Sequence, residues 1–382
     1  MLPFRCFLLT FHLFFCRIKV YKGKFRRIAL CGCCLLLLCS GCRRKETPTP
    51  TPPPSPSPSP SLVTKTKGVW LSYIELDEML DIADPAAATA AIRQAVEVCA
   101  DQELNTIFFH LRAHGDAYYP SAVWPVASSA ERVIQGGFDP LACAIQEAHQ
   151  RGITLHAWIN PYRLGASSID GLPCFEKGGV WYLRPDSPTA RQTVLEGIRE
   201  ILTNYDVDGV HFDDYFYPAG MAAEGEPFED IPPHTDPILW RQTQVDTLVS
   251  GVYGLCHQHG KLFGVSPMAD IQRCRTEACA DFTRWMTEAG YIDYVCPQLY
   301  VGFRHQTKPF LTLLDQWTAL DRREDIDLYI GLALYKVGLT HDPYAGTGAD
   351  EWVSDPNIIP RQMEAAQDVA DGWVLFRHGN LT

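Results

Sequence analysis

Two adjacent carboxylates, Asp213 and Asp214, close the apolar stretch VDGVHF at residues 207–212, and Tyr215, Phe216 and Tyr217 follow at once. An Asp-Asp pair can simply sit solvated in a loop, where the side chain caps the next turn. Three other stretches make that reading insufficient: FFHLRAHGDAYY at 108–119, LHAWINPYR at 155–163 and VCPQLY at 295–300 also end apolar runs in polar and aromatic side chains. Carboxyl groups among aromatic rings suit hydrolysis of a glycosidic bond. One carboxyl protonates the leaving oxygen, a second acts as nucleophile or base, and the rings lie against sugar faces.

That chemistry requires elements that bring the four stretches together. Strand candidates are GVWLSYI from Gly68, NTIFFHL from Asn105, ITLHAWI from Ile153, DGVHFDD from Asp208, KLFGVS from Lys261, IDYVCPQLY from Ile292, DLYIGLAL from Asp327 and GWVLF from Gly372. Helical stretches such as AAATAAIRQAVEVCA, DPLACAIQEAHQRG and SPTARQTVLEGIREILTNY separate them; the last two carry Pro near the start and Gly or Asn near the end. Strands separated by helices pair in parallel, so about eight βα repeats predict a TIM-type (β/α)8 barrel over residues 67–382. A doubly wound sheet fits less well, because no glycine-rich phosphate loop follows the first strand. Only RHGNLT follows the last strand, so the barrel is expected to lack its closing helix.

In such a barrel, side chains alternate between lumen and helices, and active sites gather at the carboxyl ends of the strands. With Val210 and Phe212 facing helices, His211 and Asp213 turn inward. With Leu155, Ala157 and Ile159 outward, His156, Trp158 and Asn160 turn inward. The same parity gives His110 and Arg112 in the second strand and Gln298 and Tyr300 in the sixth. Barrel interiors are normally filled by Val, Ile and Leu, so this convergence calls for a ligand.

Neighbouring strand residues point opposite ways. Asp213 is therefore expected to be the catalytic carboxylate, with Asp214 orienting the following loop. The second acid is expected across the pocket, Asp116 before Glu75. His211 and Arg112 are expected to hold Asp213 ionised, and Trp158 and Tyr162 to line a sugar subsite. A metal-dependent hydrolase using His110, His114, His156 or His211 with Asp213 is disfavoured, because the first strand lacks His-x-His and no helical His-Glu-x-x-His occurs. No metal and no cofactor are expected. A barrel that only binds glycan would keep the aromatic residues and Asn160 and tolerate loss of Asp213.

The 382-residue chain has a net charge of −12, which argues against nucleic acid and against docking on an anionic bilayer by charge alone. Its address lies at the N-terminus. Lys19, Lys22, Lys24, Arg26 and Arg27 precede IALCGCCLLLLCSGC, an apolar run too short to span a bilayer comfortably. Residues 1–41 read as a signal peptide, those before about 19 as an extension from a mis-assigned start. Leu38-Cys39-Ser40-Gly41-Cys42 resembles a lipobox with Cys39 where Leu is usual, making Cys42 the lipidated first residue of the mature chain. Residues 42–66 hold TPTPTPPPSPSPSPS, a stiff polyproline II spacer. The expected location is the extracytoplasmic face of a bacterial cell membrane, with contact through the lipid anchor and no protein partner. Cys99, Cys143, Cys174, Cys256, Cys274, Cys279 and Cys296 lack metal-ligand spacing and read as buried small residues, Cys274 and Cys279 forming the one plausible disulfide.

The segments FFHLRAHGDAYYPS, FDPLACAIQEAHQRGITLHAWINPYR, YDVDGVHFDDYFYP and YIDYVCPQLY, in that order, resemble the glycosyl hydrolase-like 10 family of bacterial (β/α)8 proteins. The resemblance covers Lys67 to Gly379 and implies a secreted or lipid-anchored hydrolase of polysaccharide, cell-wall glycan being the expected substrate. Matched by position, Arg112, His114 and Asp116 take the motif after the second strand, and Asn160, Tyr162 and Arg163 that after the third. Asp213, Asp214 and Tyr215 match the fourth strand, and Gln298 and Tyr300 the sixth. RPDSP at Arg184 departs from the family's usual Asn-Pro.

Overall fold

The computed structural model describes residues 65–381. The expected signal peptide, the expected lipidation site Cys42 and nearly all of the proline-rich spacer lie outside them. Eight strands form a closed parallel barrel: β1 Thr66–Leu71, β2 Thr106–Arg112, β3 Thr154–Ile159 and, after an insertion, β7 Gly209–Phe212, β8 Leu262–Val265, β9 Tyr294–Val295, β10 Asp327–Leu332 and β11 Gly372–Phe376. β11 pairs with β1, Thr66 opposite Gly372 and Trp70 opposite Phe376, which seals the ring. The insertion is a three-stranded antiparallel sheet of β4 Arg163–Gly165, β5 Cys174–Lys177 and β6 Val180–Leu183. No strand is expected from the sequence between the third and fourth barrel strands.

The helices between barrel strands begin where capping chemistry dictates. Asp84, Asp139 and Ser187 each accept a hydrogen bond from a first-turn amide, and each is followed by Pro at the first helical position. After β11 the described chain makes a 3-10 turn, His378–Asn380, rather than an α-helix. His378 Nε2 meets the Ala95 carbonyl at 2.9 Å, and the Gly379 amide donates to Glu75 at 3.1 Å, which ties this segment to the two helices that follow β1.

Large rings fill the lumen. Trp70, Phe108, Trp158, Tyr294 and Tyr329 pack with Cys296 and Val374 into a cluster separate from the helix-facing core. They fit because glycines stand opposite them: a Cβ on Gly209 would lie 2.6 Å from His156 Nδ1, and one on Gly264 would collide with the Tyr294 ring. Gly264→Ala is expected to cost about 1–3 kcal/mol, as overpacking a filled core does. A denaturant midpoint unchanged from wild type would show that Tyr294 is free to move.

Parity fails once. β2 slips against β3 between His110 and Arg112, so that His110 pairs with Trp158 but Arg112 with Ile159. Such a bulge re-aims the next side chain. Arg112, expected in the lumen, instead packs among Tyr119, Trp124, Ile159 and Val194 under the helix Pro188–Asn204, its guanidinium 4.0 Å over the Trp124 ring. It donates to the Asn160 carbonyl, while its Nε and other terminal nitrogen have no partner. The expected Cys274–Cys279 disulfide is also absent: both thiols are free and buried, Cys274 Sγ lying 3.3 Å from the Met268 carbonyl.

Candidate active site

A cavity of about 300 Å³ opens at the carboxyl ends of the barrel strands. Trp70 and Tyr73 line it from β1 and the turn beyond, His110 from β2, Trp158 and Asn160 from β3, and Arg163 from β4. Asp213, Asp214 and Tyr215 enter after β7, Ser266 after β8, Gln298 and Tyr300 after β9, and Phe376 from β11.

Asp213 and Asp214 both line this cavity, which corrects the expectation that they point opposite ways. β7 ends at Phe212, and Asp213 Oδ1 accepts the Tyr215 amide at 3.1 Å, turning the chain out of strand geometry before Asp214 is placed. Trp158 Nε1 donates to Asp213 Oδ2 at 3.2 Å, and Gln298 Nε2 to Asp214 Oδ1 at 3.3 Å. Burial, and next the charge of Asp214, push the Asp213 carboxyl well above the ordinary range, against donors from Tyr215 and Trp158 and the more distant Arg163. Burial raises Asp214 as well. The pair therefore holds protons more tightly than free carboxylates do.

This overturns the expectation that His211 and Arg112 keep Asp213 ionised. Arg112 lies outside the lumen. His211 is buried below the mouth, where its Nε2 accepts from Trp70 Nε1 at 3.1 Å and lies 3.1 Å from Ser266 Oγ. Its Nδ1 meets Tyr294 Oη at 3.1 Å, and the same hydroxyl meets His156 Nδ1 at 3.0 Å. Burial lowers the imidazolium pKa of His156 to about 4 and holds that of His211 well below its ordinary value. Neither histidine lines the cavity; with Tyr294 they form a hydrogen-bonded cluster in the barrel lumen.

The second acid is not where the sequence suggested. Asp116 lines a neighbouring open cleft of about 890 Å³ with His114, Ser167, Ser168 and Asp170, and its Oδ1 accepts the His114 amide at 3.3 Å. Arg163 is common to that cleft and the cavity, its guanidinium 4.9 Å over the Tyr215 ring. Glu75 sits buried in the first turn of the helix Tyr73–Leu80, closing a capping box with Ser72 and pairing with Arg377. Among the described residues, Asp213 and Asp214 are the only carboxyls lining the cavity.

Trp158 stacks on His110, ring centroids 3.5 Å apart at 9°, and lines the cavity while packing in the lumen cluster. Tyr162, expected beside it, is fully buried in the helix-facing core with its hydroxyl unpartnered. Tyr300 stacks against Phe376 at 5.6 Å. Reasoning from sequence assigned no role to Trp70, Ser266 or Phe376. Trp70 and Phe376 were within reach of it, because Val69 and Leu71 outward leave Trp70 inward, opposite Phe376. Among the described residues, no group of three His, Cys, Asp or Glu side chains is placed to hold a metal ion.

The profile of the family described as glycosyl hydrolase-like 10 matches residues 65–345. "Glycosyl hydrolase YngK" of Bacillus subtilis (strain 168) is 31% identical over 301 residues, which cover 68% of this chain and 57% of that protein. "Glycosyl hydrolase DigH" of Escherichia coli (strain K12) is 29% identical, with 94% of each chain covered. Among solved structures, the PgaB (BpsB) glycoside hydrolase domain from Bordetella bronchiseptica superposes with a TM-score of 0.55 at 15% identity, over 83% of this chain and 95% of that one. The likeness to that domain is one of fold.

Proposed function

The chain belongs to the glycosyl hydrolase-like 10 family, and from that premise we propose that it hydrolyses O-glycosidic bonds of a polysaccharide at the bacterial cell surface, with cell-wall glycan as substrate. The observation that carries this reading is the Asp213–Asp214 pair: two carboxyls of raised proton affinity, facing one aromatic-walled cavity at the catalytic end of a barrel. Two carboxyls that influence each other in this way titrate as a unit. The raised affinity lets the unit keep a proton to higher pH than free carboxylates do; one member gives it to the leaving oxygen, while the ionised partner offsets the positive charge that develops on the sugar ring. Trp70, Trp158 and Tyr300 offer ring faces and edges to the sugar, and Gln298 fixes Asp214.

The test is release of new reducing ends from purified cell-wall glycan by the full-length protein in detergent. Binding without release would move the chain to the class of glycan-binding barrels. Placement at the extracytoplasmic face rests on the lipobox-like LCSGC before the spacer. Cys42→Ala is therefore expected to shift the protein from the membrane to the soluble fraction. Since one acyl chain anchors only marginally, the native Cys42 is expected to carry two or more. Unchanged membrane retention of the variant would contradict this.

A further inference from the structure

Resting on the hydrolase reading, we propose that the nucleophile is supplied by the substrate: the carbonyl oxygen of a 2-acylamido group on the sugar attacks its own anomeric carbon, and Asp213 and Asp214 divide the proton handling.

The first observation is an absence on one side of the cavity. Double displacement needs a carboxylate nucleophile facing the acid across the scissile bond, with about 5 Å between them. The cavity's two carboxyls are consecutive in the chain and follow the same strand, and no other Asp or Glu among the described residues lines it. Asp116 and Glu75 are committed elsewhere.

The second observation is a pair of buried polar side chains that line the same cavity and lack partners. Both ring nitrogens of His110 and Oδ1 of Asn160 lack a well-formed hydrogen bond, although the two residues are 2% and 1% exposed. The Asn160 side chain stands close enough to act weakly on the His110 ring as an acceptor, without satisfying either group. Orphaned buried polar groups are costly and call for an explanation. His110 is kept neutral by burial and then by His114, so its ring offers one donor and one acceptor. Asn160 Nδ2 is spent on the Ala113 carbonyl at 3.1 Å, which leaves its oxygen as an acceptor. A site presenting both donors and acceptors beside indole and phenyl walls matches an acylamido group, which has an N–H, a carbonyl and a methyl. A simple hydroxyl would leave more of these atoms unpaired.

The roles follow from the hydrogen bonds. Asp213, both of whose oxygens already accept N–H bonds, accepts the amide N–H. That contact opposes the burial and the Asp214 charge that hold a proton on Asp213 in the free protein, and moves the proton of the pair to Asp214 when the sugar is bound. Asp214 has one oxygen held by Gln298 and a second with no hydrogen bond among the described residues, and it also borders a small groove with Tyr217 and Arg273 into which a leaving sugar can extend. In the first step the acyl oxygen–C1 bond forms, the glycosidic C1–O bond breaks, and its electron pair takes the proton of Asp214. The amide proton passes to Asp213, giving a neutral oxazoline. In the second step water adds to C1, its proton goes to Asp214, the C1–acyl oxygen bond breaks, and Asp213 returns the amide proton. Configuration is retained.

The experiment uses purified cell-wall glycan, de-N-acetylated and re-acylated with acetyl, monofluoroacetyl or trifluoroacetyl groups, and follows kcat and KM separately with the full-length protein. Fluorine weakens the carbonyl oxygen as a nucleophile. The inference expects kcat to fall at least about a hundredfold from acetyl to trifluoroacetyl, with little change in KM, and no turnover of the free-amine glycan. Equal kcat across the acyl series, or turnover of the free-amine glycan, overturns the inference and leaves the hydrolase reading standing. No release from any preparation, native glycan included, overturns both.

Discussion

Asp213→Asn and Asp214→Asn are each expected to lower glycan turnover by about 10²–10⁴, the usual contribution of a positioned acid or base, without unfolding the barrel. Asparagine keeps the shape and one acceptor oxygen, enough for Gln298 Nε2 at position 214 and for one of the Tyr215 amide and Trp158 Nε1 at position 213. Losing the other bond at 213 costs about 1 kcal/mol. Stability adds a signature that a merely structural aspartate would not give. Both carboxyls have raised proton affinity in the folded chain, so the folded state holds protons that the unfolded state has released. Their stabilising contribution is complete below the unfolded carboxyl pKa, about 4, and is lost as pH rises through the raised folded values. The melting temperature of Asp213→Asn should therefore fall less steeply than that of wild type as pH is raised from about 4 through neutrality. A variant melting well below wild type at neutral pH would make Asp213 a structural group.

Glu75→Ala is expected to behave in the opposite way. It removes the capping box of the helix Tyr73–Leu80 and leaves both Arg377 and the Gly379 amide without their acceptor. Deleting one partner of a buried ion pair costs about 3–5 kcal/mol. Arg377 is 27% exposed, so solvent recovers part of this and a loss of about 2–3 kcal/mol is expected. Activity per folded molecule should stay near wild type. Were Glu75 the proton donor, Glu75→Gln would melt normally and abolish turnover.

Legibility in the sequence tracked regularity in the backbone. Eight apolar runs separated by capped helices were enough for the barrel, and period-two counting correctly turned His156, Trp158, Asn160 and His211 inward. Counting says nothing of depth, however: Trp158 and Asn160 reach the cavity, whereas His156 and His211 are spent on Tyr294 within the lumen. It also cannot see a bulge, and one extra residue between His110 and Ile159's partner sent Arg112 out to Trp124. Asp214 was misjudged because the strand stops one residue before the pair. Asp116 and Tyr162 follow their strands in irregular chain, where no period fixes direction.

The central claim, that this barrel cleaves glycosidic bonds by adding water under the control of Asp213 and Asp214, is tested most directly by digesting purified cell-wall glycan in ¹⁸O-labelled water and weighing the fragments. The account predicts one ¹⁸O at each newly formed reducing end with wild-type protein, and a yield lower by orders of magnitude with either asparagine variant. Fragments free of label, or an undiminished yield from Asp213→Asn and Asp214→Asn alike, would contradict it.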